Sequence, residues 1–325
     1  MVLEDFLAFQ RTLALRAALE MNLFTRIGAG TETASALAQE CGAETRGLRI
    51  LCDYLVIQGH LSKEADRYSL PLSSRLYLAT TSPAYWGSAI EFLASDATID
   101  SFCRLAESVK NGTASGPSEM PSGDSQWVAF ARAMAPLARP VAQMASAALD
   151  VESKGPMRVL DLAAGHGLYG LAIAARNPAA QIVALDRPGV LEVAADNASR
   201  AGVLERYRLL AGDAFEVEFE GPYDLILAAN FAHHFDRAAN VSLFRKCRAA
   251  LNAAGRLALI DYVANEDRIS PAEDAAFALT MLATAEHGDV YTFREFSKML
   301  EDAGFGEAHR PDVGALPQWI IVASG

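Results

Sequence analysis

Val159-Leu160-Asp161-Leu162-Ala163-Ala164-Gly165-His166-Gly167-Leu168-Tyr169-Gly170 passes from an apolar strand through a glycine turn into an amphipathic helix. The glycines at 165, 167 and 170 spell G-x-G-x-x-G, which lets backbone approach a ligand closely. Asp186 follows Gly167 by 19 positions, at the end of the next apolar strand. A carboxylate there can accept two ribose hydroxyl protons, so the passage implies a nucleoside cofactor.

Outward from this turn, apolar strands alternate with amphipathic helices. The expected strands cover 158–163, 181–185, 207–210, 223–229 and 256–262. A further pair near 306–310 and 318–322 closes the pattern. This is an α/β chain with a doubly wound, mostly parallel, seven-stranded sheet whose last strand is antiparallel.

The residues before it read differently. Apolar-periodic stretches at 6–27, 34–40 and 45–58 predict three helices. A charged turn, Lys63-Glu64-Ala65-Asp66, then separates two short extended runs, giving a winged-helix pattern. Two more helices are expected at 83–110 and 124–149, parted by a Gly/Ser/Pro-rich stretch at 111–123 that reads as a mobile loop. Three divisions follow: 1–80, 81–150 and 151–325.

Size and charge narrow the function. The chain has 325 residues, 51% hydrophobic and 21% charged, enough to bury a large core. Its net charge of −12 argues against a broad hold on nucleic acid or anionic lipid. The third helix carries Arg46 and Arg49 but also Asp53, so a DNA-binding regulator is disfavoured. No apolar run is long enough to span a bilayer and no secretion signal opens the chain, which implies a cytoplasmic protein. Cys41, Cys52, Cys103 and Cys247 form no metal pattern and read as buried, reduced thiols.

Three features favour S-adenosylmethionine over a nicotinamide dinucleotide. Asp161 at the strand end would repel a pyrophosphate but welcome an ammonium group. Gly212-Asp213-Ala214-Phe215 supplies an acceptor for an adenine amine and an aromatic wall. The third is the position of the unit in the C-terminal half, ending in its unusual strand pair.

Together with Asn230-Phe231-Ala232-His233-His234-Phe235-Asp236, these residues resemble the class I S-adenosylmethionine-dependent methyltransferases. Within that class the chain is similar to the dimeric small-molecule O-methyltransferases of plants and of bacterial secondary metabolism. The resemblance implies a Rossmann-like catalytic domain behind an all-helical, winged-helix-like dimerisation domain. It sets Asp161, Gly165 and Gly167 against the methionine part, Asp186 at the ribose, and Asp213 with Phe215 at the adenine. Ala163, Arg187, Gly212, Ala214 and Asn230 complete the donor site. It makes His233 the general base, with His234 its adjacent competitor. Phe130, Met134 and Met281 become acceptor-pocket residues, and no metal is needed.

The chain departs from the family at two points. Val290 and Val322 align where plant members flank the base with acids, so no carboxylate is expected to orient the imidazole unless Asp289, Glu286 or His287 substitutes. Phe235 stands where tryptophan is usual. The expected partners are a small-molecule acceptor and a second copy of the chain. N- or C-methylation, or a scaffold that binds the nucleoside without turnover, stays open.

Overall fold

A computed structural model describes residues 2–116, 124–152, 154–311 and 318–325. Most of the expected loop at 111–123, from 117 onward, thus lies outside the described residues. The chain divides into two compact units, Met1–Thr98 and Ile99–Gly325.

In the first unit the stretch expected as one helix over 6–27 is two, Val2–Glu20 and Leu23–Gly28. They part at Asn22, whose left-handed backbone (φ 53°) suits asparagine better than most residues. Helices Ala34–Cys41 and Thr45–Ile57 follow, the former opened by Thr33, whose hydroxyl accepts from the Ala36 N–H. The wing is an antiparallel pair, β1 (Ser62–Glu64) and β2 (Arg67–Ser69). Leu23, Phe24, Leu37, Leu55 and Tyr68 fill the centre of this unit. Each such side chain contributes about 1.5–3 kcal/mol on burial. Asp53 ties helix to wing, accepting from Arg49 (2.9 Å), Lys63 Nζ (2.6 Å) and the Tyr68 hydroxyl (2.7 Å). Val2, Leu3, Phe6 and Phe9 of the opening helix stand out in solvent.

The second unit carries β3 (Met157–Leu162), β4 (Ala180–Asp186), β5 (Tyr207–Ala211), β6 (Tyr223–Ala229), β7 (Leu251–Asp261), β8 (Ala308–His309) and β9 (Trp319–Ser324). They form one sheet in the order β5-β4-β3-β6-β7-β9-β8. The first five pair in parallel, and β9 joins β7 antiparallel. The reversal of order beside β3 puts the carboxyl ends of β3, β4 and β6 around one crevice, where ligands bind in such sheets. Two apolar layers cover the faces, one including Leu162, Ile226 and Phe244, the other Val159, Ile173 and Leu227.

The stretch expected as one helix at 83–110 is broken into a turn and short helices Ile90–Leu93, Asp96–Cys103 and Leu105–Asn111. Ser95 accounts for one break, since its hydroxyl accepts from the Thr98 N–H and starts a new helix. The helix expected at 124–149 forms as Asp124–Ala148 despite two internal prolines. Cys52 and Cys247 are buried thiols, but Cys41 is half-buried and Cys103 is exposed, so the burial expectation fails for those two. No described helix is long and apolar enough to cross a membrane.

Candidate active site

The glycine turn is built for close approach. Ala163, Gly165 and Gly167 all take positive φ (52°, 57° and 71°) as the chain turns from β3 into helix Leu168–Arg176. A Cβ on Gly167 would lie 2.8 Å from that of Ala194, and one on Gly170 would lie 2.8 Å from Asp161 Oδ2. At Gly165, by contrast, an added Cβ would meet only the Ala163 carbonyl oxygen, at 3.9 Å, so that side of the turn is open.

Three acids stand at three adjacent strand ends. Asp161 is buried, and its Oδ2 accepts from the Gly170 N–H at 2.9 Å. Burial pushes this carboxyl up to about 7, against the pull of the Gly170 N–H and with a smaller push from Asp186. Asp161 therefore holds the turn from beneath. Asp186, half-buried, accepts from the Gly165 N–H (2.8 Å) and the Arg187 N–H (2.7 Å), joining β4 to the turn. Asp213 is exposed and accepts from the Phe215 N–H at 2.7 Å. The Gly212 N–H bonds the Asp186 carbonyl oxygen (3.0 Å), so the β4 and β5 corners are held together. Phe215 is partly exposed and rests edge-on against Phe235, with Ala214 buried behind it. The residues present fit an adenosyl group: an open glycine turn, two carboxylates reachable from solvent and an aromatic face at the next corner.

Asn230 is tied into the protein by its side chain. Its amide donates to the Tyr169 hydroxyl (3.0 Å), which donates to Gln318 Oε1 (3.4 Å), and the Gln318 amide donates back to Asn230 Oδ1. The ring binds β6, the glycine helix and the start of β9. Both polar ends of the Asn230 side chain are occupied within the protein.

His233 sits in a short turn after β6 and is buried beside Asp261, the last residue of β7. Its Nδ1 lies 2.6 Å from Asp261 Oδ1, and its backbone N–H donates to Oδ2 at 3.3 Å. The Tyr262 N–H also donates to Oδ1, at 2.8 Å. In a neutral imidazole, a carboxylate at Nδ1 favours the tautomer protonated there, which leaves the lone pair on Nε2. The expectation that no acid orients this imidazole is thus overturned. Val290 is buried apolar, and Val322 sits within β9. Asp289 reaches His233 through its backbone, whose N–H donates to the His233 carbonyl oxygen (2.9 Å). Glu286 and His287 face each other on the surface, 3.7 Å apart.

Sequence reasoning missed Asp261. The signal was available, because the apolar run Leu257-Ala258-Leu259-Ile260 ends on this acid just as β3 and β4 run into theirs.

Rings from several elements gather about the pair. Phe277 meets His233 edge-on at 5.1 Å and stacks on Tyr262 at 4.1 Å. His234 lies 4.3 Å from His233, and Trp127 stands edge-on to His234 at 6.2 Å and to Phe130 at 5.8 Å. Burial, with His233 adding to it, holds the His234 imidazole well below the usual histidine range, so it stays neutral. Met281 is buried on the helix that carries Phe277, and Met134 is half-buried on the helix that carries Trp127. No cluster of three potential metal ligands occurs among the described residues.

A mostly parallel sheet with a glycine turn, acids at its strand ends and a buried histidine–aspartate pair has the features of a nucleoside-using enzyme. The chain belongs to the family with the O-methyltransferase domain, whose model matches residues 123–306, and an O-methyltransferase dimerisation domain matches residues 3–80. It is 25% identical over 302 residues to 3-hydroxy-5-methyl-1-naphthoate 3-O-methyltransferase of Streptomyces sahachiroi, covering 91% of this chain and 86% of that one. It is 27% identical to acetylserotonin O-methyltransferase of Mus musculus, covering 91% and 81%. Among solved structures, a putative O-methyltransferase from Nostoc punctiforme shares 42% identity and a TM-score of 0.93, over 100% of this chain and 98% of that one. The fold is also that of human N-acetylserotonin methyltransferase solved with SAM, with a TM-score of 0.88 at 21% identity over 99% of this chain and 96% of that one.

Proposed function

We propose that this enzyme transfers a methyl group from S-adenosylmethionine to a hydroxyl of a small aromatic acceptor, with His233 as the base. The His233–Asp261 pair, 2.6 Å apart and ringed by Phe277, Tyr262 and His234, is the observation that carries the reading. S-adenosylmethionine, when bound, supplies a methyl group already activated on a sulfonium. The chain must align the acceptor oxygen and take its proton. Alignment of this kind can supply ~7–11 kcal/mol of a barrier. Asp261 holds the Nδ1–H, Nε2 accepts the hydroxyl proton, and the carboxylate stabilises the imidazolium that forms.

Gly165, Gly167 and Ala163 present the open turn to the donor, Asp186 and Arg187 the ribose corner, and Gly212, Asp213, Ala214 and Phe215 the adenine corner. Asp161 and Asn230 support this site from within. Phe130, Met134 and Met281 belong to the acceptor pocket, which makes 81–150 the acceptor-side segment between a dimerisation domain at 1–80 and the donor domain at 151–325. The enzyme works as a cytoplasmic homodimer without a metal. The relatives named above act on a hydroxynaphthoate and on acetylserotonin, which supports an aromatic acceptor.

Label transfer from methyl-labelled donor to a panel of phenols and naphthols, with and without a chelator, tests the reading. Product bearing the label on oxygen is expected, with no loss on chelation. Label on carbon or nitrogen, or none with any acceptor, would refute it.

A further inference from the structure

The ring wall around His233 contains two polar atoms that have nothing to bond among the described residues. Trp127 Nε1 and His234 Nδ1 are both buried, and neither has a hydrogen-bond partner among the described residues. Buried polar atoms are almost always paired, so two orphans on neighbouring rings ask for a common explanation. The rings come from separate elements, the helix Asp124–Ala148 and the turn after β6, and meet edge-on with centroids 6.2 Å apart.

Their chemistry is complementary. An indole N–H only donates, and a neutral imidazole protonated at Nε2 accepts at Nδ1. Even so, the two atoms are not bonded to each other. A group that accepts from the first while donating to the second completes both. A hydroxyl is the small group that does this with a single oxygen, bridging atoms up to roughly 6 Å apart. A buried water typically makes about three hydrogen bonds, and these two atoms supply two. A hydroxyl carried on an aromatic ring would be held there by stacking as well.

His234 is not needed for the reacting oxygen. His233 has the carboxylate that fixes its tautomer and steadies its charge, whereas the ring contacts of His234 are with His233, Trp127 and Phe235. Kept neutral, it is a poor proton acceptor but a good hydrogen-bond acceptor. We infer that Trp127 Nε1 and His234 Nδ1 together bind a second, non-reacting hydroxyl of the acceptor, so that the enzyme selects aromatic diols over mono-ols. This rests on the methyl-transfer reading and names the acceptor class for that same site.

Protein saturated with S-adenosylhomocysteine is titrated by calorimetry with 2-naphthol and with each dihydroxynaphthalene isomer. At least one diol is expected to bind about tenfold or more tightly than 2-naphthol. The preference should shrink to about twofold or less in Trp127→Phe and, independently, in His234→Phe. Unchanged affinity for S-adenosylhomocysteine in either variant reports an intact fold. A wild type that prefers no diol, or a preference that survives both substitutions, overturns the inference. So does a loss of S-adenosylhomocysteine affinity in Trp127→Phe with the diol preference intact, which would give the pair to the donor. A diol preference lost in the variants, but without any methyl transfer to the diol, would count against the reaction and leave the hydroxyl site standing.

Discussion

His233 and Asp261 face each other at the carboxyl ends of neighbouring strands, Nδ1 to Oδ1 at 2.6 Å, with both side chains buried. The carboxylate also accepts the backbone N–H groups of His233 and Tyr262, so its position is fixed independently of the imidazole. Replacing it with an amide keeps the shape but removes the charge and allows the wrong tautomer. Asp261→Asn should lower kcat by about 10² to 10⁴. His233→Ala should cost at least about tenfold. Affinity for S-adenosylhomocysteine should stay within about twofold of wild type in both. Turnover equal to wild type in either variant would remove the pair from the chemistry.

Asp161 gives a pH-dependent signature. Burial raises its carboxyl to about 7, above the ~3.9 of an unfolded chain. The folded state therefore holds a proton that the unfolded state has lost, across roughly pH 4 to 7. Stability falls as pH rises through that window, and the full penalty applies above it. Asp161→Asn keeps an oxygen for the Gly170 N–H and removes the titration. The variant should gain on wild type by about 1–3 kcal/mol more at pH 8 than at pH 4.5. Urea denaturation at the two pH values checks this, and an equal difference at both would show that Asp161 is ionised throughout.

The fold was legible because its signals are local. The run from Val159 to Gly170 contains strand, turn and helix in one stretch, and the alternation after it places most of the sheet. Strand β7 was read short, since Leu251-Asn252-Ala253-Ala254 has no clean period, although it pairs with Tyr223. The helix expected over 83–110 failed because Ser95 can cap a helix as readily as it can sit within one. At the site, the acids beside the glycine turn were found by their spacing, but the partner of His233 was sought at 290 and 322. Asp261 is 28 residues from His233 and becomes its neighbour only because β6 and β7 pair in parallel. The Trp127–His234 meeting is less legible still, since no periodicity ties a residue before the sheet to a turn after its fourth parallel strand.

The opening helix carries a prediction about assembly. Val2, Leu3, Phe6 and Phe9 are 60–71% exposed, more large apolar surface than one isolated helix face ordinarily shows to water. Leu3, Phe6 and Phe9 fall within the residues that match a dimerisation domain. A second copy of the chain would cover them, and a charge placed there would have to be desolvated on association. Phe6→Glu combined with Phe9→Glu should convert a species of about twice 34.8 kDa into one near 34.8 kDa. Light scattering coupled to size exclusion measures this. A wild type already at the mass of one chain would refute the assignment.

The two glycines of the turn should fail in different ways. Gly167 has φ 71°, and a Cβ there would stand 2.8 Å from the Ala194 Cβ and 3.1 Å from its Cα. Gly167→Ala combines left-handed strain with a clash against the backbone of helix Pro188–Arg200, for a loss of about 2–5 kcal/mol. Gly165 has φ 57°, but its Cβ would meet only the Ala163 carbonyl oxygen, at 3.9 Å. Gly165→Ala should cost only about 1–2 kcal/mol of stability. With the donor bound as proposed, that methyl would occupy its side of the turn, so affinity for S-adenosylhomocysteine should fall by on the order of tenfold or more, or about 1.4 kcal/mol upward. Denaturant unfolding and calorimetry on the two variants separate the outcomes. Full affinity in Gly165→Ala would mean that the donor does not approach the turn at this residue, and the cofactor assignments of Ala163, Gly165 and Gly167 would fall together.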